Sequence, residues 1–399
     1  MKRLVTAKQM KRLDGLCTTE VGISGLLLME NAALEAVHAM EARFGVLEKR
    51  QIIVVCGKGN NAGDGFAMAR QLVNRGCQVE IVFLNEPDQL PPDARVNYDI
   101  ACNMKIPMSG EFPAVVEYSA IIVDAVFGIG VHGEITDPTY RRAIEWMNQS
   151  GQPVVAVDIP SGIDADRGGI CGCAVKADLT CTFAFCKPGL VVLPGAEYAG
   201  EIVVCSISTP SYVADMEPSD LFLLEEDCLN WPSPSLDVNK GSMGRICIVA
   251  GSAGMTGAAC LAAQAALCTG AGLIRVAIPK DLNAILEVKL TEQMTVPLPA
   301  KGHLDEECME IVCEQAAQSD VMLIGPGLGR APETERAVCQ LVRKTEIPLI
   351  LDADGINAVS RNINILLEKQ APVILTPHPG EFSRLTGLPI AQIQQDRLA

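Results

Sequence analysis

Apolar residues fall along the first half of the chain in short β-branched runs, separated by stretches where they recur at helical spacing. Strands are predicted at Ile52 to Cys56, Val79 to Leu84, Ala120 to Asp124, Pro153 to Asp158, Leu179 to Phe185 and Ile202 to Ser206. Helical segments alternate with the earlier strands, as in a parallel, doubly wound sheet, so an α/β fold is expected. A helix is predicted from about Ser24 to Phe44, where Leu26, Leu27 and Met29 lead into an alanine-rich face that packs on the sheet or on a second subunit. Asp137-Pro138 reads as a helix start, an N-cap followed by proline in the first turn.

From Thr209 to Pro234 this pattern lapses. Pro210, Pro218, Pro232 and Pro234 stand among acidic and serine residues, which marks a linker, assigned to 216–234 between domains at 1–215 and 235–399. A second α/β unit follows, with strands predicted within Lys240 to Ser252 and at Leu273 to Ile278, Val321 to Ile324, Pro348 to Leu351 and Val373 to Thr376. Met255 to Ile274 carries no charge, yet its alanine, glycine, Thr256, Gln264 and Thr269 read as a buried helix rather than a membrane span.

Composition narrows the function classes. The 399 residues suit two domains, and 49% hydrophobic content with 4% aromatic and 35 glycines points to layers packed by Val, Ile, Leu and Ala. A net charge of -16 without a long basic run disfavours nucleic acid and anionic membrane surfaces as partners. The 16 cysteines are scattered through apolar strands and helices without a C-x-x-C pair, as expected of reduced thiols in a cytoplasmic protein. Cys171 and Cys173 lack the histidine or second pair that a zinc site needs. The opening MKRLVTAKQMKRLDG has basic residues without an apolar core after them, and so is no signal peptide.

Candidate chemistry sits where predicted strands end. Ile52 to Gly65, IIVVCGKGNNAGDG, reads as a strand, a tight loop and a helix resuming at Phe66. Gly57, Gly59 and Gly63 permit positive φ and close ligand approach, and the helix N-terminus favours a phosphate, although the spacing is neither the dinucleotide fingerprint nor the P-loop. Two further loops, DAVFGIGVHGE from Asp124 to Glu134 and DIPSGID from Asp158 to Asp164, fall at such ends, where open α/β sheets bind ligands. Asn60, Asn61, Asp64, Asp124, Asp158 and Ser161 offer hard oxygens suited to potassium, magnesium or calcium rather than zinc, or else cap their loops.

GNNAGDG, DAVFGIG and DIPSGIDADRG, in this order and spacing, resemble the NAD(P)H-hydrate epimerase domain, over roughly the first half of the chain. The resemblance implies a Rossmann-like sheet. It also implies that hydrated dinucleotide is held by Asn60, Asn61, Ala62, Gly63 and Asp64, by Gly128, Ile129, Gly130, Val131, His132, Gly133 and Glu134, and by Asp158, with potassium on Asn61, Asp124 and Ser161. Asp158 is the expected catalytic acid/base, with burial or neighbouring Asp124 raising its pKa. Ala62 departs from the glycine usual there, which would strain the loop if the position needed positive φ.

In the second half, Lys240 to Ser252, GPGLG from Gly325, DADG from Asp352 and TPHPGE from Thr376 resemble the ribokinase-like, ADP- or ATP-dependent NAD(P)H-hydrate dehydratase. By that resemblance Ala258, Gly327 and His378 touch the substrate, and ADP or ATP with magnesium is the cofactor. Asp352 and Asp354 bind a cation or cap turns. The family's G-[ST]-G-D signature is missing, so the chain is expected to end inside its second domain and to lack dehydratase activity, with an incomplete domain left. A small-molecule kinase of the ribokinase-like class and a non-catalytic nucleotide-binding module are the rivals, and a homo-oligomer is the expected assembly.

Overall fold

The computed structural model describes residues 2–228 and 233–398. Contacts divide the chain into two compact units, Met1–Asn230 with Asp396–Ala399, and Trp231–Gln395.

In the first unit a two-residue strand β1 (Lys2–Arg3) precedes helices α1 (Ala7–Leu16) and α2 (Gly25–Phe44). Thr6 and Gln9 form a capping box at the start of α1, and Ser24 caps α2. Then come β2 (Gln51–Cys56), α3 (Asn60–Asn74), β3 (Gln78–Phe83), α4 (Pro92–Asn103), β4 (Met108–Ser109), β5 (Ile121–Ala125), α5 (Pro138–Gln149), β6 (Val154–Val157), β7 (Leu179–Phe183) and β8 (Glu201–Cys205). Asp137 caps α5 through Thr139 N at 2.8 Å, as its sequence implies. The sheet is parallel throughout, in the order β4-β3-β2-β5-β6-β7-β8. Its direction of winding reverses between β2 and β5, and the crevice beyond their carboxyl ends is where such a sheet binds ligands.

Both faces of this sheet are covered at its centre, which is why β2, β5 and β6 are almost wholly apolar, whereas β3 carries Gln78 and Glu80 and the edge strand β8 is largely exposed. Ile52, Val54 and Cys56 face a core shared with α2 and α3, whereas Ile53 and Val55 face another with Ile144 and Met147 of α5. The stretch expected as a linker contributes β9 (Phe222–Leu223), antiparallel to β1, while its residues 229–232 lie outside those described.

The second unit holds β10 (Arg245–Val249), β11 (Leu273–Pro279), β12 (Met294–Leu298), β13 (Val321–Ile324), β14 (Leu349–Leu351) and β15 (Val373–Leu375). They form a parallel sheet in the order β12-β11-β10-β13-β14-β15, reversing between β10 and β13. Strand β12 escaped sequence reading because Pro297 lies within it, a residue confined to sheet edges, and β12 is an edge. The uncharged stretch after Met255 is not a buried helix. It folds as Thr256–Cys268, burying only Ala259 and Ala263, with Leu261 74% exposed, before Leu273 opens β11. Among the described residues no helix is long and apolar enough to cross a membrane.

Candidate active site

Helix α3 starts at Asn60, not at Phe66, so the asparagines and Asp64 lie in its first turns. None of Gly57, Gly59 and Gly63 has positive φ, and Ala62 is an ordinary, fully buried helical residue without backbone strain. Gly57 and Gly63 are needed instead for close approach, whereas a Cβ on Gly59 would meet open space. A Cβ on Gly57 would stand 2.2 Å from the Val126 carbonyl oxygen across the β2–β5 crevice, and one on Gly63 would stand 2.6 Å from Met29 Sδ and 2.8 Å from Ala94 Cα. Gly63→Ala is therefore expected to force α3 away from α4 and to cost about 1–3 kcal/mol, measured by urea denaturation. An unchanged midpoint would show that α4 yields freely.

These loops enclose a cavity of about 530 Å³ at the reversal point. Its walls include Lys58, Gly59, Asn60 and Asn61 after β2, Asp64 of α3, Val126 to Val131 after β5, and Asp158, Phe183 and Lys187 beyond β6 and β7. Helix α1 and the turn after it close one side with Met10, Lys11, Asp14 and Thr18. Of the expected substrate residues, Ala62, Gly63, His132, Gly133 and Glu134 do not line it. Ala62 and Gly63 pack inward, His132 Nδ1 lies 3.5 Å from Asp164, and Glu134 pairs with Arg141 at 3.7 Å.

Asp158 is held in the left-handed region at φ 68°, a strained conformation for a residue with a side chain. Its carboxylate meets Lys187, not Asp124. Lys187 is fully buried, and its ammonium donates to Asp158 Oδ1 at 2.5 Å, Thr182 Oγ1 at 3.0 Å and the Phe183 carbonyl at 2.9 Å. Phe183 N donates to the same Asp158 oxygen at 3.2 Å. Sequence reasoning missed Lys187, because CKPG after a strand carries no motif that sets one lysine apart from another.

Asp124 and Ser161 do not line the cavity. Asp124 is wholly buried and accepts from Ser161 Oγ at 2.6 Å, Ser161 N at 2.8 Å and Val126 N at 3.2 Å. Burial pushes its carboxyl up to about 6 despite these donors. Among the described residues no basic side chain lies within ion-pair distance of it, and no three His, Cys, Asp or Glu form a metal-binding cluster. Ser161 Oγ also accepts from Phe127 N, and Gly128 packs against Asn61 Oδ1, which a Cβ there would approach to 3.3 Å. Asn61 in the first turn of α3, Asp124 near the end of β5 and Ser161 after β6 are thus oxygen donors linked through the Val126 to Gly128 segment, and among the described residues the carboxylate lacks a counter-charge. That donor set fits a potassium ion.

In the second unit, Ala258 and Gly327 meet at the β10–β13 reversal. Gly327 adopts φ 64°, a Cβ on it would lie 2.8 Å from that of Ala258, and its carbonyl accepts from buried Ser252 Oγ at 2.8 Å. His378 follows β15, two strands away from β13, and caps the helix Pro379–Thr386. Its Nδ1 accepts from Gly380 N at 3.0 Å and its Nε2 lies 3.1 Å from Glu381. Asp354 receives Gly329 N at 2.9 Å and Asp352 receives Thr376 Oγ1 at 2.8 Å, both turn-fixing contacts.

The family described as YjeF-related protein N-terminus matches residues 25–189, and that described as NAD(P)H-hydrate dehydratase matches residues 246–399. A bifunctional NAD(P)H-hydrate repair enzyme from Moorella thermoacetica is 40% identical over 408 residues, spanning 99% of this chain and 77% of that relative. The chain belongs to the bifunctional NAD(P)H-hydrate repair enzyme family. The enzyme of the same description from Salinibacter ruber is 36% identical over 96% of this chain and 75% of its own. A solved ADP/ATP-dependent NAD(P)H-hydrate dehydratase from Bacillus subtilis, co-crystallised with ATP and Mg2+, is 30% identical over 42% of this chain and 55% of its own, with a TM-score of 0.34.

The protein is accordingly an NAD(P)H-hydrate repair enzyme with an epimerase-type and a dehydratase-type domain, acting on the small hydrated NAD(P)H molecule. The family matches do not bear out the loss of dehydratase activity expected from the missing G-[ST]-G-D signature. The dehydratase family matches the second half from residue 246, and the repair enzymes align along nearly the whole chain, so that expectation has no support.

Proposed function

We propose that residues 1–215 interconvert the (R)- and (S)-forms of hydrated NADH and NADPH, and that residues 235–399 serve the nucleotide-dependent dehydration of the (S)-form, with ADP or ATP and magnesium. The observation that carries the epimerase reading is the Asp158–Lys187 pair opening into the cavity at the β2–β5 reversal. Hydrated nicotinamide bears a hydroxyl on C6 beside ring nitrogen N1. In one balanced route the C6–O bond breaks as the N1 lone pair forms a C6=N1 bond, and the hydroxyl leaves as water with a proton from an acid. Water then adds to the other face, gives a proton to a base, and the electron pair returns to N1. Nothing is oxidised, and the proton lent is recovered. We assign Asp158 to this proton traffic. Lys187 fixes the carboxylate and offsets its charge in a buried setting.

Asn60, Asn61, Asp64 and the Gly128 to Val131 segment surround the substrate in this reading, and the N-terminus of α3 faces its phosphates. Purified chain incubated with (R)-hydrate should form the (S)-epimer faster than a no-enzyme control, followed by chromatography. Equal rates would sink the epimerase assignment. Adding ADP or ATP with magnesium should then restore the dihydronicotinamide absorbance, and a flat trace would sink the nucleotide-dependent step.

Asn61, Asp124 and Ser161 would hold potassium, whose charge orients the two loops and helps neutralise substrate phosphates. Because Asp124 is pushed up to about 6, the folded state favours its neutral form. That contribution to stability is whole below about pH 4 and is lost as pH rises through about 6, a loss on the order of 3 kcal/mol. A bound cation offsets it. The unfolding midpoint at pH 8 should be on the order of 5 °C higher in potassium chloride than in tetramethylammonium chloride, and the difference should vanish near pH 4. Equal midpoints at pH 8 would remove potassium from this site. The cysteines are scattered through apolar strands and helices without a C-x-x-C pair, which supports a reducing, cytoplasmic setting.

A further inference from the structure

Resting on the epimerase reading above, we propose that Asp14 is the second proton-transfer group of this site and gives the departing C6 hydroxyl its proton. Asp14 lines the same cavity as Asp158 but arrives from α1, whereas Asp158 and Lys187 arrive from beyond β6 and β7. The two carboxyls are differently committed. Asp158 is bound by Lys187 and Phe183 N, whereas Asp14 Oδ1 is buried and has no hydrogen-bond partner. Inversion needs a proton given on one face of the ring and taken on the other, so two groups from separate walls suit it better than one. In the forward step the Asp14 O–H bond breaks toward the leaving hydroxyl oxygen, which departs as water while N1 supplies the electron pair for C6=N1. The water that adds to the other face yields its proton to Asp158, and solvent exchange resets both groups.

The surroundings keep a proton available. Burial raises the Asp14 carboxyl to about 6, opposed by the positive charge of Lys187 and reinforced by the negative charge of Asp158. Asp64 is pushed well above its ordinary value by burial and then by Asp158 and Asp14, against Lys187. Three carboxyls thus share one buried ammonium, and they cannot all be ionised at neutral pH without cost. The remaining charged groups facing the cavity are Lys11 of α1, Lys58 before α3 and Asp93 of α4. Asp14 also lies ahead of the residues 25–189 that the epimerase-type family matches, outside every motif by which the site is recognised.

The test is the pH profile of kcat/KM for (R)-hydrate epimerisation, corrected for the no-enzyme rate, in the full chain and in Asp14→Asn and Asp14→Glu. Wild type should lose rate as pH rises from about 6 to 8. Asp14→Asn should be at least tenfold slower at pH 6 with that descending limb gone and KM little changed, while Asp14→Glu should keep the limb and recover part of the rate. Wild-type rates in Asp14→Asn, or a slow variant that retains the limb, would overturn the role. If Asp14→Asn does not fold, a wild-type profile flat between pH 5 and 8, or an Asp14→Glu profile lacking the limb, overturns it equally. An inactive wild type would instead sink the epimerase reading itself, and this inference with it.

Discussion

Asp158→Asn is expected to lower the epimerisation rate by about a hundred- to ten-thousand-fold, the usual worth of a placed acid/base, while leaving the first unit folded. Three features predict that the fold survives. Asparagine has the same shape, its carbonyl oxygen still accepts from Lys187 and Phe183 N, and it is among the side chains that best tolerate the φ of 68° found here. What it cannot do is exchange a proton. Circular dichroism and binding of unreactive NADPH should therefore match wild type while kcat falls. An undiminished rate in a folded variant would remove Asp158 from the mechanism and leave its strained backbone without a catalytic explanation.

Why Asp158 was legible in the sequence and Lys187 was not has a physical answer. The central strands read directly because a sheet covered on both faces demands apolar residues at nearly every position, and those runs stop where the chain turns. Ile52 to Cys56 and Val321 to Ile324 are such cases, found within a residue of where they were expected. Residues at or just past the stops inherit their position from the strands, so Asn60, Asp64, Asp124 and Asp158 could be placed at one edge without coordinates. Positive φ at Gly57 and Gly63 could not be judged that way. A glycine needed for close approach and one needed for a left-handed turn look alike in a sequence, and only the distances to Val126 and Ala94 separate them. Lys187 and Asp14 belong to a third kind. Each owes its environment to residues far away in the chain, Lys187 to Asp158 and Asp14 to the wall of a cavity built by other elements. No local pattern encodes that, and a lysine or aspartate is normally a solvated surface residue. His378 shows the converse hazard, since the two prolines and the glutamate that drew attention to it also make a helix cap.

Lys187→Met should be strongly destabilising to the first unit, lowering its stability by about 3–5 kcal/mol. The lysine is fully buried and spends all three of its protons on Asp158, Thr182 and the Phe183 carbonyl. Methionine fills a similar volume, so the loss is electrostatic rather than a cavity. It strands Asp158 as a buried carboxylate beside Asp14 and Asp64, and the Phe183 carbonyl loses a donor. The stranded charge also makes a second, sharper expectation. Adding Asp158→Asn to Lys187→Met removes that charge, so the double variant should regain part of the lost stability, although each change alone is unfavourable. Urea denaturation followed by far-ultraviolet circular dichroism reads both. A loss below about 1 kcal/mol in the single variant, or a double variant whose losses simply add, would mean that Lys187 and Asp158 do not depend on one another. The buried ammonium would then have to be explained by Thr182 and the Phe183 carbonyl alone.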